Sequence, residues 1–210
     1  MPALFLTVLI VFVLLVLNEF WWRKRRSHGE ISRKFIHLSV GSFVAFWPFF
    51  LSWDHIRLLS LAFLIGVAAS KYLHVFRAIH SVQRPTWGEL FFALAVGGIT
   101  CITQDKLIYM AALLQMSLAD GLAAVIGTRY GQKYRYIVFG HAKSLLGTLT
   151  FFLVSVGILI YFSDVSSAQL LVGFIVGLAA ATSVIENLAA RGLDNLLVPV
   201  IVACALRFLA

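Results

Sequence analysis

An all-α membrane domain of about eight transmembrane helices is the fold class this sequence predicts. Three observations predict it. Of 210 residues, 61% are hydrophobic and 12% charged, and the mean hydropathy is +0.94. A soluble domain is usually about 45–50% apolar and about 25% charged. The apolar residues fall into runs near the length of about 20 residues that a bilayer-crossing helix needs. Basic residues collect between alternate runs, as topology requires. The length makes one domain over 1–210.

The first run, 3–22, has no positive segment before it and ends in Arg23-Lys24-Arg25-Arg26. It reads as a retained anchor rather than a cleaved signal peptide. Further spans are expected at 35–53, 56–73, 88–104, 107–127, 145–163, 168–188 and 195–209. Short Asp-containing turns at Ser52–His55, Thr103–Lys106 and Ser163–Ser166 alternate with longer connectors at 23–34, 74–87, 128–144 and 189–194. Of the 17 Lys and Arg, only Arg57, Lys106 and Arg207 lie on the side of the short turns, which leaves 14 with the long connectors. The positive-inside rule then sets the long connectors in the cytoplasm and both termini outside.

Asp105 and Asp164 stand where N-caps would open the fifth and seventh spans. Thr86-Trp87-Gly88-Glu89 has capping-box spacing. Gly173 and Gly177 form a GxxxG suited to close helix packing. Cys101 and Cys204 lie inside apolar runs, so neither a disulfide framework nor a zinc site is indicated. The net charge of +8 serves topology here and implies no nucleic-acid partner.

Polar residues in or beside the apolar runs form four clusters. Glu30, Arg33, Lys34 and His37 recur at i, i+3, i+4 and i+7, on one helical face at the entry to the second span. A snorkelling basic flank and a histidine bonded to a backbone carbonyl are the plainer readings. Asp120 lies near the cytoplasmic end of the fifth span, and Ala123, Gly127 and Gly131 follow as a smooth edge. A helix or a ligand could approach closely there. Arg129, Lys133, Arg135 and Lys143 make a cationic stretch before Ser144 and Gly147. Such a stretch suits a metal-bound phosphate or anionic lipid headgroups. Lys143-Ser144 is not read as a P-loop, because neither a strand nor Walker spacing precedes it. Glu186 lies near the end of the seventh span, and Asp194 with Asn195 opens the eighth, where an Asp also serves as an N-cap. Arg84 and Glu89 border the fourth span.

All four clusters fall on the face that the Lys/Arg count makes cytoplasmic, in segments 30–37, 84–89, 117–148 and 186–199. Carboxylates for a divalent metal and bases for phosphate, gathered at a membrane surface, point to a metal-dependent enzyme working where a soluble phosphate donor meets a lipid. Phosphoryl transfer asks the protein mainly for positioning and charge neutralisation. A transporter is the non-enzyme alternative, but it should carry polar groups near the midplane and on both faces.

The motifs Glu30-x-x-Arg33-Lys34-x-x-His37, Arg84-x-Thr86-x-Gly88-Glu89, Asp120-Gly121-x-Ala123-Ala124-x-x-Gly127-x-x-x-Gly131, Lys143-Ser144-x-x-Gly147-Thr148 and Gly192-x-Asp194-Asn195-Leu196-x-Val198-Pro199 stand in order, with Glu186 before the last. Together they resemble the dolichol kinase and phytol kinase family, which includes CTP-dependent diacylglycerol kinases. The resemblance implies transfer of the γ-phosphate of CTP to the hydroxyl of phytol, a polyprenol or dolichol, with Mg²⁺. It puts Asp120, Gly121, Lys143, Ser144 and Gly147 in the nucleotide region. The Asp-Gly helix and the Lys-Ser-x-x-Gly segment also resemble CDP-diacylglycerol synthases, which are CTP:phosphatidate cytidylyltransferases. Their further signature, rich in Pro, Gly, His and Asp, does not end this chain. Leu145 and Leu146 depart from the bulky residue and Glu that many phytol kinases carry before the glycine matching Gly147.

The roles expected are as follows. Asp120 holds Mg²⁺ with Glu186 or Asp194. Lys143, Arg129, Arg33 and Lys34 meet nucleotide phosphates, with Gly127 and Gly131 beside them. His37 or Glu30 is the base for the alcohol. Arg84, Glu89 and Asn195 complete the site. The partners are CTP, the lipid alcohol and the bilayer, and a homodimer is left open.

Overall fold

The structure is a computed structural model that describes residues 2–25, 29–73, 87–166 and 168–209, without the side chains of 21–33 and 70–73. Helices dominate: α1 (Pro2–Arg25), α2 (Gly29–Ala45), α3 (Trp53–Leu73), α4 (Gly88–Ile102), α5 (Lys106–Leu114), α6 (Asp120–Tyr130), α7 (Leu145–Val165), α8 (Val172–Leu188) and α9 (Asp194–Arg207). A π-helical turn, Gln115–Ala119, joins α5 to α6 in one rod. Each predicted span overlaps one helical rod. Among the described residues, Pro2–Phe20, Lys106–Tyr134 and Leu145–Val165 are long and apolar enough to cross a membrane, and Gly88–Ile102 and Val172–Leu188 are apolar but shorter. Helix is the form that satisfies every backbone N–H and C=O within its own segment, which lipid demands.

The α5–α6 rod is the centre of the bundle. Its most apolar window is 67% buried, against 11% for α1 at the edge. The rod packs on α2, α7 and α9, while α3 packs on α4 and α4 on α9. Small and hydroxyl residues set these contacts, as expected where packing rather than water drives association. Ser60 Oγ donates to the carbonyl of Ala93 at 2.8 Å, and a Cβ at Gly97 would stand 2.5 Å from that hydroxyl. At the far end, Arg57 ties α3 to α4 through the side chain and carbonyl of Thr100 at 3.0 and 3.2 Å.

Several local expectations change. Asp105 caps α5 as expected, accepting from Leu107 N and Ile108 N at 2.7 and 3.1 Å. Asp164 does not open the next helix. It sits in the last turn of α7, and α8 begins only at Val172, with Leu171 at the cap. The capping box at Thr86 lies outside the described residues. A Cβ at Gly173 or Gly177 would meet nothing within 4 Å, so this GxxxG is not a packing seam among the described residues. The second predicted span ends early: α2 stops at Ala45, and a 3-10 turn at Trp47–Phe49 follows, with Pro48 inside it.

The 128–144 connector holds a short hairpin, β1 (Arg135–Val138) and β2 (His141–Ser144), in which Tyr136 pairs with Lys143. Phe139 and Gly140 both have positive φ, +46° and +76°, as a two-residue hairpin loop of the favoured twist requires. A strand therefore does precede Ser144, contrary to expectation. Lys143 lies within that strand rather than in a loop after it, and Walker spacing is still lacking.

Candidate active site

The polar end of the bundle gathers the charges. α2 carries Lys34 and His37 one turn apart, on a face that meets the central rod. Lys34 Nζ donates to both Asp120 oxygens, at 2.6 Å to Oδ1 and 2.5 Å to Oδ2. His37 Nε2 lies 3.2 Å from the carbonyl of Met116 and 4.0 Å from Asp120 Oδ2. A carbonyl only accepts, so Nε2 carries hydrogen there, and Nδ1 is the basic nitrogen of the neutral ring. Met116 belongs to the π-helical turn that delivers Asp120, and such turns recur at functional sites. The plainer reading of His37, a histidine bonded to a backbone carbonyl, therefore holds alongside its place beside Asp120.

The hairpin brings the second lysine. Lys143 Nζ donates to Glu186 Oε1 and, at 3.0 Å, to the Glu186 carbonyl. Its cross-strand partner Tyr136 donates to the neighbouring Asn187 Oδ1 at 2.5 Å, and Thr148 Oγ1 donates to the same oxygen at 3.1 Å. Two successive residues of α8 thus pin the two strands. Burial opposes the Lys143 charge, but the Glu186 carboxylate, helped by Asp120 and Asp194, outweighs it and holds the ammonium above the usual lysine pKa.

Asp120, Glu186 and Asp194 meet with carboxylate oxygens all within 4.8 Å of one another. Asp194 is the first residue of α9 and Leu193 the cap, so the plain N-cap reading of Asp194 does not hold. Asp120 and Glu186 are 4% and 6% exposed, too buried to be a solvated acidic patch. Three carboxyl groups face two lysines, one more acid than base. Ligands at 2.0–2.1 Å on opposite sides of a Mg²⁺ stand about 4 Å apart. The donors here are all oxygens, within a slightly wider 4.8 Å of one another, and oxygen donors are the chemistry a hard divalent ion takes.

A cavity of about 70 Å³ opens beside the cluster, lined by Lys34, His37, Glu89, Phe92, Asp120 and Asn195 among others. Asn195 is fastened by its Nδ2 to the carbonyl of Gly88 at 3.1 Å, joining α9 to the start of α4. Gly121 lies against Leu38, whose side chain a Cβ would approach to 2.9 Å. Gly127, Gly131 and Gly147 let α6 and α7 touch. A Cβ at Gly127 would stand 2.7 Å from Ser144 Oγ, and one at Gly147 would stand 3.1 Å from the carbonyl of Ala123. Ser144 Oγ caps α7 by accepting from Gly147 N at 3.0 Å. The smooth edge of α6 receives the start of α7.

Arg129 is exposed, with its guanidinium 5.4 Å from the ring of Tyr130. The side chains of Glu30 and Arg33, and all of Arg84, lie outside the described residues. Sequence reasoning missed Tyr136 and the role of Asn187. A two-residue loop ending in glycine was the available signal for the hairpin, but no residue pattern points to the pairing across 51 positions.

No family model and no solved structure matches the chain. It is 36% identical over 183 residues to the phytol kinase of Synechocystis sp., covering 82% of this chain and 76% of that protein. It is 26% identical to the probable phytol kinase 2, chloroplastic, of Oryza sativa subsp. japonica, over 81% of this chain and 63% of the relative. The namesake from Glycine max is also 26% identical, over 84% of this chain and 64% of the relative. The chain spans a little under two thirds of the two plant proteins. With motifs, cluster and a relative this similar over most of both chains, the protein belongs to the phytol kinase family of lipid-alcohol kinases.

Proposed function

We propose that the protein transfers the γ-phosphate of CTP to the hydroxyl of a membrane isoprenoid alcohol, with Mg²⁺, at the cytoplasmic face of an eight-span bundle whose termini lie outside. One observation carries this reading: two buried carboxylates, a half-buried third and two lysines converge beside a cavity that His37 shares. That is the charge set a nucleotide, a metal and a hydroxyl require together.

Asp120, Glu186 and Asp194 hold the cation, which supplies charge neutralisation for the phosphates when bound. Lys34 and Lys143 turn from their carboxylates to phosphate oxygens, and Arg33 and Arg129 extend that positive rim. The start of α7, set by Ser144 and Gly147, adds the partial positive charge of a helix N-terminus beside Lys143. Gly127 and Gly131 keep that start close to α6, and Gly121 lets Leu38 of α2 pack beside Asp120. The alcohol oxygen forms a bond to the γ-phosphorus while the bridging oxygen bond breaks and CDP leaves. The hydroxyl proton passes to His37 Nδ1, or to Glu30. Glu89 and Asn195 border the cavity where the hydroxyl enters, and Arg84 belongs to the same face.

The test uses purified protein with Mg²⁺, phytol, other prenyl alcohols, diacylglycerol and phosphatidate, and CTP labelled at the α or the γ phosphate. Label from γ alone in the organic phase supports the kinase, and the labelled product names the acceptor. Label from α alone means a cytidylyltransferase. Labelled diacylglycerol means a diacylglycerol kinase, and flux in liposomes without nucleotide means a transporter. Running ATP beside CTP decides the donor.

A further inference from the structure

Below the charged cavity lies a second and larger one, of about 270 Å³, between α1, α2, α3 and α4. Leu15, Val40, Phe63 and Phe92 line both cavities, so the two adjoin along a shared apolar wall. Phe92 marks the junction, its ring edge-on to His37 at 5.2 Å and to Phe63 at 6.0 Å. The second cavity is a dry slot. Its two hydroxyls are spent on backbone carbonyls, Thr7 on Ala3 at 2.8 Å and Ser60 on Ala93 at 2.8 Å. Trp47 Nε1 is a buried donor without a partner among the described residues, and one N–H makes no site for a second polar group. Trp47 closes the far end, 6% exposed and edge-on to Phe43.

We propose that this slot holds the hydrocarbon chain of the acceptor alcohol, hydroxyl at His37 and Asp120, and that Trp47 is the stop that sets the accepted chain length. The proposal rests on the kinase reading above. From His37 to Trp47 the slot runs about 15 Å at 1.5 Å per residue along α2. That is half of a hydrocarbon core about 30 Å thick, the depth of one leaflet. A chain of about one-leaflet length fills it, and the main chain of phytol or geranylgeraniol, somewhat longer when fully extended, fits it when bent. A long polyprenol or dolichol does not fit behind Trp47. α1 packs chiefly on α2, which leaves the slot between α1 and α3 reachable from the surrounding lipid.

Two measurements test this. The first is kcat/KM for farnesol, phytol, geranylgeraniol and a long polyprenol with the wild type and Trp47→Ala. The wild type should favour the one-leaflet alcohols, and the variant should shift the ratio of long to short by about tenfold towards long, the scale on which a hydrophobic pocket discriminates. An unchanged ratio overturns the stop. The second needs neither turnover nor nucleotide: a phytol analogue with a photoreactive diazirine at its chain end is cross-linked to the wild type and the adduct located by mass spectrometry. Adducts on Thr7, Val44 or Trp47 support the slot, and adducts confined to other helices overturn it. Correct adducts with no phosphorylation from any nucleotide would leave the slot standing and sink the kinase reading.

Discussion

Replacing Lys143 with Met should unbalance the carboxylate cluster, and its size can be worked out. Lys143 and Glu186 are 23% and 8% exposed and share an ion pair, and Lys143 adds a 3.0 Å bond to the Glu186 carbonyl. Removing one partner of a buried pair strands the other charge, at a cost of about 3–5 kcal/mol. Partial exposure puts this pair at the lower end, so Lys143→Met should destabilise by about 3 kcal/mol. Glu186→Gln in the same background removes the stranded charge and should restore most of that loss. SDS titration of unfolding in mixed micelles, run on wild type, both single variants and the double variant, measures the coupling. A coupling below about 0.5 kcal/mol, the level of additivity for independent sites, would refute the reasoning. The effect has a pH sign. The Lys143 pKa is raised in the folded state, so its stabilisation is full below the ordinary lysine value of about 10.4 and is lost as pH rises through the raised value. Between pH 6 and pH 9, about the working range of such an assay, the Lys143 contribution should therefore stay flat.

Asp120→Asn strands Lys34 and should lower stability by about 3 kcal/mol, while turnover per folded molecule falls by at least about 10²-fold, the scale of losing one preorganised charge; full activity removes the metal assignment. Addition of Mg²⁺ should raise the melting temperature of the wild type, and chelation should reverse the rise, while a Glu186→Gln, Asp194→Asn variant should show no shift. Gly127→Val should cost about 1–3 kcal/mol, because its side chain meets Ser144 Oγ and the backbone of Gly147. Gly177→Val faces open space and should stay within about 0.5 kcal/mol. Tyr136→Phe loses its hydrogen bonds to Asn187 and Thr148 and should lower stability by about 1–2 kcal/mol, read in the same titration.

Much of the architecture was legible because apolar run length is a local property. Lipid forces each run into a helix, so the rods at 88–102 and 145–165 lie within two residues of expectation. Asp105 as a cap was equally local, since its partners are two and three residues away. Asp164 misled for the complementary reason: it has cap chemistry, but where a helix begins is settled by its packing. Asp194 allowed two readings, cap or metal ligand, and its place beside Asp120 and Glu186 favours the second. Gly173 and Gly177 carry a packing motif that finds no partner, while Gly127 and Gly147, on different helices, make the close contact.

What the sequence determined by itself was the membrane class, the rods and the candidate residues on one face, because charge in lipid is costly wherever the chain goes. Only the tertiary structure decided which acids share one spot, which lysine serves which acid, and that a dry slot ends at Trp47. Those contacts join residues 34 and 120, and 143 and 186, and one cavity has residues 7 and 47 in its wall. Each depends on how helices far apart in the chain come to lie side by side, and no periodicity along a single strand of sequence encodes that distance.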